Sequence, residues 1–320
     1  MTLQSAPFYH DVAEGPEAQA YWVTADDGVR LRFAHWPLDH AKGPAKGTVL
    51  LFPGRTEYVE KYGRAAADFT ARGYAMIAID WRGQGLADRM VEPRYVGYVE
   101  TFADFQRDVA TVLAALKDLN LPQPWHLLGH SMGGCIGLRA LHEGLPVKSA
   151  SFSAPMWGIG LAPHLRTAAW TIGAISQPFG FGGRLSPMTS PVTLVLDQPF
   201  DDNTLTKDPD MYAYMQRQMT EQPDLALAGP AINWVYEALK ECKDLRALPS
   251  PDIPCLTFLG TDERIVHTGE VHNRMARWPN GTLDLIQAGE HEVMMEVPET
   301  RIHIFDACVA FYDKHRPQRS

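Results

Sequence analysis

The residues that most constrain this chain are Gly129-His130-Ser131-Met132-Gly133. They form G-x-S-x-G, the pattern of a sharp strand-to-helix turn that presents a serine hydroxyl at the edge of a sheet. Their flanks fit. The apolar stretch Trp125–Leu128 enters from one side, and the small-residue stretch Gly134–Leu141 leaves on the other. The flanking glycines leave room for backbone to cross closely, and the Met132 N–H is aimed where an oxyanion would form. A chain of this length carries the pattern by chance roughly one time in ten. The motif therefore needs partners elsewhere in the chain.

A serine hydroxyl becomes a useful nucleophile only with a base beside it and an acid behind the base. When the serine stands on such a turn, the chain order is serine, acid, histidine, with the acid after a late strand and the histidine after the last one. Both places are filled. Strand candidate Cys255–Leu259 is followed by Gly260-Thr261-Asp262-Glu263-Arg264, and strand candidate Leu283–Ile286 by Gln287-Ala288-Gly289-Glu290-His291. His291 is thus the candidate base among twelve histidines. His130, inside the turn, is expected to face away from the reacting centre, and His126, His267 and His303 have no positional support. The acid is Glu263 or Asp262. G-x-x-acid spacing selects Glu263, but aspartate is the commoner acid, and adjacent residues cannot both face one histidine. A second oxyanion donor is expected after the first long strand, where Pro53-Gly54-Arg55 places the Arg55 N–H.

The rest of the chain supplies the frame. An Asp27-Gly28 turn joins two alternating segments within Tyr21–Trp36 as a hairpin. Thereafter apolar runs alternate with helical patterns. Strands are expected at Thr48–Phe52, Ala75–Asp80, Trp125–Leu128, Ser149–Ser153, Cys255–Leu259 and Leu283–Ile286, apolar almost throughout as strands covered on both faces must be. Helices are expected at Lys61–Ala71, Phe102–Leu119 and Pro298–Lys314. This predicts an α/β fold with a mostly parallel sheet flanked by helices. The alternation stops between residues 155 and 250, a segment rich in Gly, Pro, Met and Trp whose first part, Pro155–Leu196, has no acidic residue. It is expected to be a helical cap inserted between a first core part, 1–154, and a second, 251–320, with part of its apolar face lining a substrate tunnel.

Other classes are disfavoured. The net charge of −9, with no basic run, speaks against a nucleic-acid partner. No apolar stretch reaches the length of a spanning helix, and Met1–Ala20 lacks the pattern of a signal peptide. A cytoplasmic location follows as an expectation, with the four scattered cysteines as buried free thiols. A zinc motif starting at His291 fails, because Met295 stands where the second histidine is needed. Gly158-x-Gly160 is followed by Pro163 where a dinucleotide loop wants glycine. No metal or cofactor is implied.

Six segments carry a resemblance. They are P-G-R-T-E-Y-V-E-K-Y at Pro53–Tyr62, D-W-R-G-Q-G at Asp80–Gly85, G-H-S-M-G-G at Gly129–Gly134, S-A-P-M-W-G at Ser153–Gly158, G-P-A-I-N-W-V at Gly229–Val235 and E-R-I-V at Glu263–Val266. From about Leu50 to its last helix the chain resembles the bacterial lysophospholipase and monoacylglycerol lipase branch of the α/β-hydrolase superfamily, among the serine aminopeptidase-like hydrolases. Within that branch it is most similar to the inner-membrane-associated lysophospholipases of Gram-negative bacteria. The resemblance implies an acid immediately before the arginine of E-R-I-V, hence Glu263. It makes Asp80 and Arg82 parts of a structural turn. It implies a carboxylic-ester hydrolase acting on a small amphiphilic monoacyl lipid through an acyl-enzyme, with transient contact at a membrane surface. A proline-type aminopeptidase or amidase and a short-chain esterase are the alternatives, and a binding protein on an inactivated scaffold would be expected to lack one of the three residues.

Overall fold

A computed structural model describes residues 3–38 and 44–316. Among the described residues nine strands form one sheet: β1 (Gln4–Ser5), β2 (Gln19–Thr24), β3 (Arg30–Trp36), β4 (Gly47–Phe52), β5 (Tyr74–Asp80), β6 (Trp125–His130), β7 (Ala150–Ser153), β8 (Cys255–Gly260) and β9 (Gly281–Ile286). Their order is β1-β2-β3-β5-β4-β6-β7-β8-β9. Pairing is antiparallel from β1 to β5 and parallel from there onward. The chain is thus an α/β-hydrolase fold.

The strands read as they do because both faces of the sheet are covered. Along β4, Val49 and Leu51 face one side, with Met76, Ala78, Leu128 and Phe258. There they meet Phe69 of α1 (Gly63–Ala71) and Phe305 and Tyr312 of the C-terminal helix Pro298–Lys314. Leu50 and Phe52 face the other side, against Phe105, Val109 and Val112 of α2 (Asp104–Leu116) and Ile136 of α3 (Met132–His142). This alternation is the period of two that a strand imposes. The last strand departs from expectation. β9 is an edge strand and its residues are only partly buried, Leu285 being 43 % exposed. The expected helix at Lys61–Ala71 begins instead as a 3-10 turn, Val59–Tyr62, and becomes α-helical at Gly63.

Between β7 and β8 come α4 (Pro163–Ser176), a short helix at Leu194–Asp197, α5 (Pro209–Glu221) and α6 (Ile232–Ala247), without a strand. Two further helices, α7 (Thr268–Met275) and α8 (Pro298–Lys314), complete the core. The excursion has its own apolar cluster, in which Val195, Leu205, Met211, Met215 and Met219 pack with Tyr58 and Met295 of the flanking chain. Polar ties reinforce the contact. The Asn233 amide donates to the Val99 and Glu100 carbonyls, and the Gln218 amide to the Val12 carbonyl. Asp80 and Arg82 are structural here. Asp80 accepts from the Arg32 guanidinium and from the Val59 and Leu86 N–H groups, while Arg82 pairs with Asp108 and Asp27. All four cysteines are buried free thiols.

Two buried histidines should make the fold acid-sensitive. His35 has no hydrogen-bond partner on either ring nitrogen among the described residues. His126 stacks on Tyr312 at 4.5 Å between ring centroids, with Nδ1 2.8 Å from the Ser149 hydroxyl. Burial pushes both from an ordinary 6.5 down to about 4. The folded state therefore refuses protons that the unfolded chain accepts as the pH falls below 6.5. Stability should be intact above pH 6.5 and decline between 6.5 and 4, each histidine contributing up to about 3 kcal/mol. Urea midpoints from pH 7 to pH 4 measure this, and His35→Phe with His126→Phe should flatten the slope.

Candidate active site

The parallel strands present their carboxyl ends at one edge, and every candidate residue follows one of those ends. Chain order reverses direction between β4 and β6, since β4 is followed by β5 on one side and β6 lies on the other. Crevices in open α/β sheets form at such points. The Pro53-Gly54-Arg55 loop leaves β4 there, and Ser131 leaves β6.

Ser131 joins β6 to α3 with φ 49° and ψ −118°, a conformation that a residue with a Cβ rarely adopts. Close packing fixes it. The Ser131 N–H donates to the Ser153 carbonyl at 3.0 Å, and its own carbonyl accepts from Gly134 and Met156. A Cβ on Gly133 would stand 1.9 Å from the Phe52 carbonyl oxygen, and one on Gly129 would stand 2.9 Å from that of Gly133. The motif's glycines are needed because β4 and α3 cross the turn at backbone distance.

Ser131 Oγ lies 2.8 Å from His291 Nε2, and His291 Nδ1 lies 2.7 Å from Glu263 Oε2. A carboxylate can only accept, so Nδ1 carries the hydrogen and Nε2 is left to accept from the serine hydroxyl. Glu263 is held in turn. Its Oε1 accepts the Ile265 and Val266 N–H groups at 2.6 and 3.0 Å. Burial alone would raise the Glu263 pKa, but the adjacent imidazole and the two N–H donors overcome that and keep it below the usual carboxylate range. Asp262 points elsewhere. Its carboxylate is 45 % exposed and pairs with Lys207, which lowers its pKa. The structure thus brings Ser131, His291 and Glu263 together and leaves Asp262 outside. The backbone N–H groups of Arg55 and Met132 have no hydrogen-bond partner among the described residues. Both loops open to the same crevice.

Other histidines sort as structural. His126 is in the core, His267 caps α7 by accepting from the Glu270 N–H, and His303 pairs with Asp284 at the surface. His130 differs from expectation. Its ring centroid is 5.0 Å from that of His291. Its Nδ1 meets the Ser153 carbonyl and hydroxyl, while Nε2 lies 3.3 Å from Glu292 and 3.4 Å from Glu57. Burial would push the imidazole's pKa down, but those two carboxylates outweigh it and raise it. The Lys61 ammonium bonds both carboxylates, at 2.5 Å in the case of Glu292, and Glu57 also accepts from the Gly54 N–H and the Tyr62 hydroxyl. All these side chains are buried. Glu57, His130 and Glu292 are close enough together to suggest a metal site. The ammonium already fills the cation's place among them.

Above Ser131 lies a cavity of about 500 Å³. Its lining is mainly apolar, with Met156, Ile159, Val195, Leu205, Met215 and Met219 prominent. An aminopeptidase would need an acidic cluster for its substrate's free amino terminus, and Asp201, Asp202, Asp208 and Asp210 of the excursion do not line this cavity. Asp208 caps α5 and pairs with Arg301, Asp210 pairs with Arg64, and Asp201 and Asp202 line a separate surface pocket beside Asp262. No helix among the described residues is long and apolar enough to cross a membrane.

Comparison with known proteins places this geometry. Residues 43–298 match the family model described as "Serine aminopeptidase, S33". The chain is 27 % identical to lysophospholipase L2 of Escherichia coli K12 over 313 residues, covering 91 % of this chain and 86 % of that protein. It is 25 % identical to probable lysophospholipase L2 of Haemophilus influenzae, covering 93 % and 95 %. Among solved structures, a soluble variant of monoglyceride lipase from Saccharomyces cerevisiae superposes with a TM-score of 0.72 at 19 % identity, over 95 % of this chain and 96 % of that one. The serine hydrolase fold, the crevice at its switch point and a family match over most of its length agree: the chain belongs to the serine aminopeptidase S33 family of α/β hydrolases.

Proposed function

We propose that this protein is a carboxylic-ester hydrolase that releases the fatty acid from a monoacyl lipid, a lysophospholipid or a monoacylglycerol, through an acyl-enzyme. The observation that carries the reading is the hydrogen-bonded line Ser131–His291–Glu263 at the base of an apolar cavity of about 500 Å³. The lysophospholipase and monoglyceride lipase names of its relatives support it. In this reading residues 155–250 are a cap whose apolar side chains receive the acyl chain.

Ser131 Oγ attacks the ester carbonyl as His291 Nε2 takes its proton. Glu263 holds the tautomer and stabilises the imidazolium. The N–H groups of Arg55 and Met132 receive the oxyanion. His291 then gives its proton to the departing alcohol, and a water activated by the same imidazole releases the fatty acid.

The exposed apolar side chains Phe179, Met188, Val192 and Leu194 support uptake of substrate at a lipid surface, since the last three also line the cavity. The enzyme would then work in the cytoplasm, peripheral to the inner membrane. The position of Asp201, Asp202, Asp208 and Asp210 outside the cavity lining supports an ester over an aminopeptidase substrate. The test is hydrolysis of a panel: lysophospholipids, monoacylglycerols, short p-nitrophenyl esters and an aminoacyl amide. Long monoacyl esters are expected to give the highest kcat/KM. A clear preference for the amide, or for acetate over long acyl chains, would overturn the reading.

A further inference from the structure

Two cationic side chains, Lys61 and Arg55, line the cavity with Ser131. Lys61 is neutralised by Glu57 and Glu292. Arg55 has no carboxylate partner among the described residues. Its guanidinium donates to the neutral Ala228 carbonyl and stands 5.3 Å from the centre of the Trp234 ring, and its Nε is buried without a hydrogen-bond partner. Burial lowers its pKa to about 9. A cation partly withdrawn from water, with one buried N–H unsatisfied and no anion beside it, is costly.

The chemistry of the missing anion can be narrowed. Asp197 is the other acid in the cavity lining besides the Lys61 pair, and it stands exposed on the cap with no bond to Arg55. The carboxylate and imidazole around Ser131 are occupied with one another. The anion must therefore arrive with the substrate. A glycerol head group offers only hydroxyls. A phosphate offers several oxygens in the fork geometry that a guanidinium matches. In a monoacyl phospholipid the phosphate sits a few bonds from the scissile ester, on the side of the departing alcohol. The acyl chain would occupy the apolar wall, which leaves the phosphate for the cavity's unpaired cation.

We propose that the Arg55 side chain binds the phosphate of a lysophospholipid and makes the site select phosphate-bearing monoacyl esters over neutral ones. This rests on the lipid-ester reading given above. It separates two roles in one residue: the backbone N–H faces the oxyanion, and the guanidinium reads the head group.

The test compares lysophosphatidylethanolamine with monoacylglycerol of the same acyl chain, both below their aggregation concentrations, with p-nitrophenyl butyrate as a substrate lacking a head group. Wild type should favour the lysophospholipid. Arg55→Gln, which keeps a donor for the Ala228 carbonyl, should lower the ratio of the two kcat/KM values by about tenfold or more, mainly through KM, because the phosphate does not react. Arg55→Lys should hold an intermediate ratio, since it keeps the charge without the fork. If Arg55→Gln loses p-nitrophenyl butyrate hydrolysis, Arg55→Lys decides: a lower ratio supports the proposal and an unchanged one overturns it. Parallel loss on both lipids would also overturn it and assign Arg55 to the loop alone. Inhibition of wild type by inorganic phosphate without any lysophospholipid preference would overturn the head-group reading. If wild type cleaves p-nitrophenyl butyrate but neither lipid, the proposed function fails instead.

Discussion

Replacing Ser131 by alanine is expected to lower kcat on any ester at least about 10⁴-fold, and His291→Ala to do the same. Without the hydroxyl there is no acyl-enzyme, and without the imidazole the hydroxyl keeps its proton. Neither change should unfold the protein, because neither side chain fills the apolar core. The informative pair is the acids. Glu263→Gln keeps the shape but can turn an N–H toward His291 Nδ1, favouring the wrong tautomer, so a loss of about 10³- to 10⁴-fold is expected. Asp262→Asn should change kcat by less than about threefold, since it removes only an exposed pair with Lys207. Measuring kcat on p-nitrophenyl butyrate, with thermal melts beside it, checks all four. Equal losses from the two acid variants would contradict the assignment of Glu263.

Much of this candidate site is legible in the sequence because its logic is local. A strand end, a glycine pair and a serine lie within a few residues, and His291 and Glu263 follow strands with recognisable apolar runs. β4, β5, β6 and β8 are readable for the same reason, since a strand covered on both faces reads as a nearly continuous apolar run, while β7 is readable from small and apolar residues in alternation. The position of β9 is readable as well, but its burial is not, since an edge strand can carry an apolar run and remain half open to solvent. His130 is misjudged for a different reason. Its orientation depends on Glu57 and Glu292, which are distant in sequence and meet only when the loops after β4, β6 and β9 converge over the carboxyl ends of the sheet. The one local hint is the spacing of Glu57 and Lys61, four residues apart, and that spacing is commonplace on exposed helices. Arg55 shows the same limit. Its place after β4 suggests a backbone donor, while the isolation of its guanidinium becomes visible only with Ala228 and Trp234 folded around it.

The second large effect is expected at Lys61. Glu57 belongs to the loop that carries Arg55, and Glu292 is the neighbour of His291. The ammonium between them ties the proposed oxyanion loop to the loop of the proposed base. Glu292 is held well below the usual carboxylate range: burial opposes this, but His130 and Lys61 prevail. Lys61 and the His130 imidazole face the same two carboxylates. Lys61→Met removes one cation and leaves a buried carboxylate uncompensated, which should cost about 3–5 kcal/mol of stability. Urea denaturation at pH 7 measures it. Solvating the leftover charge requires the two loops to part, so kcat should fall by about tenfold or more even where the protein stays folded. The combination Lys61→Met with Glu292→Gln removes the stranded charge along with its partner, and should recover most of the stability. It should not recover kcat to the same degree, because the tie between Glu57 and Glu292 remains cut. Recovery of both together would mean that Lys61 serves stability alone. Recovery of stability without activity would mean that the buried ion cluster sets the distance between the oxyanion donors and the base.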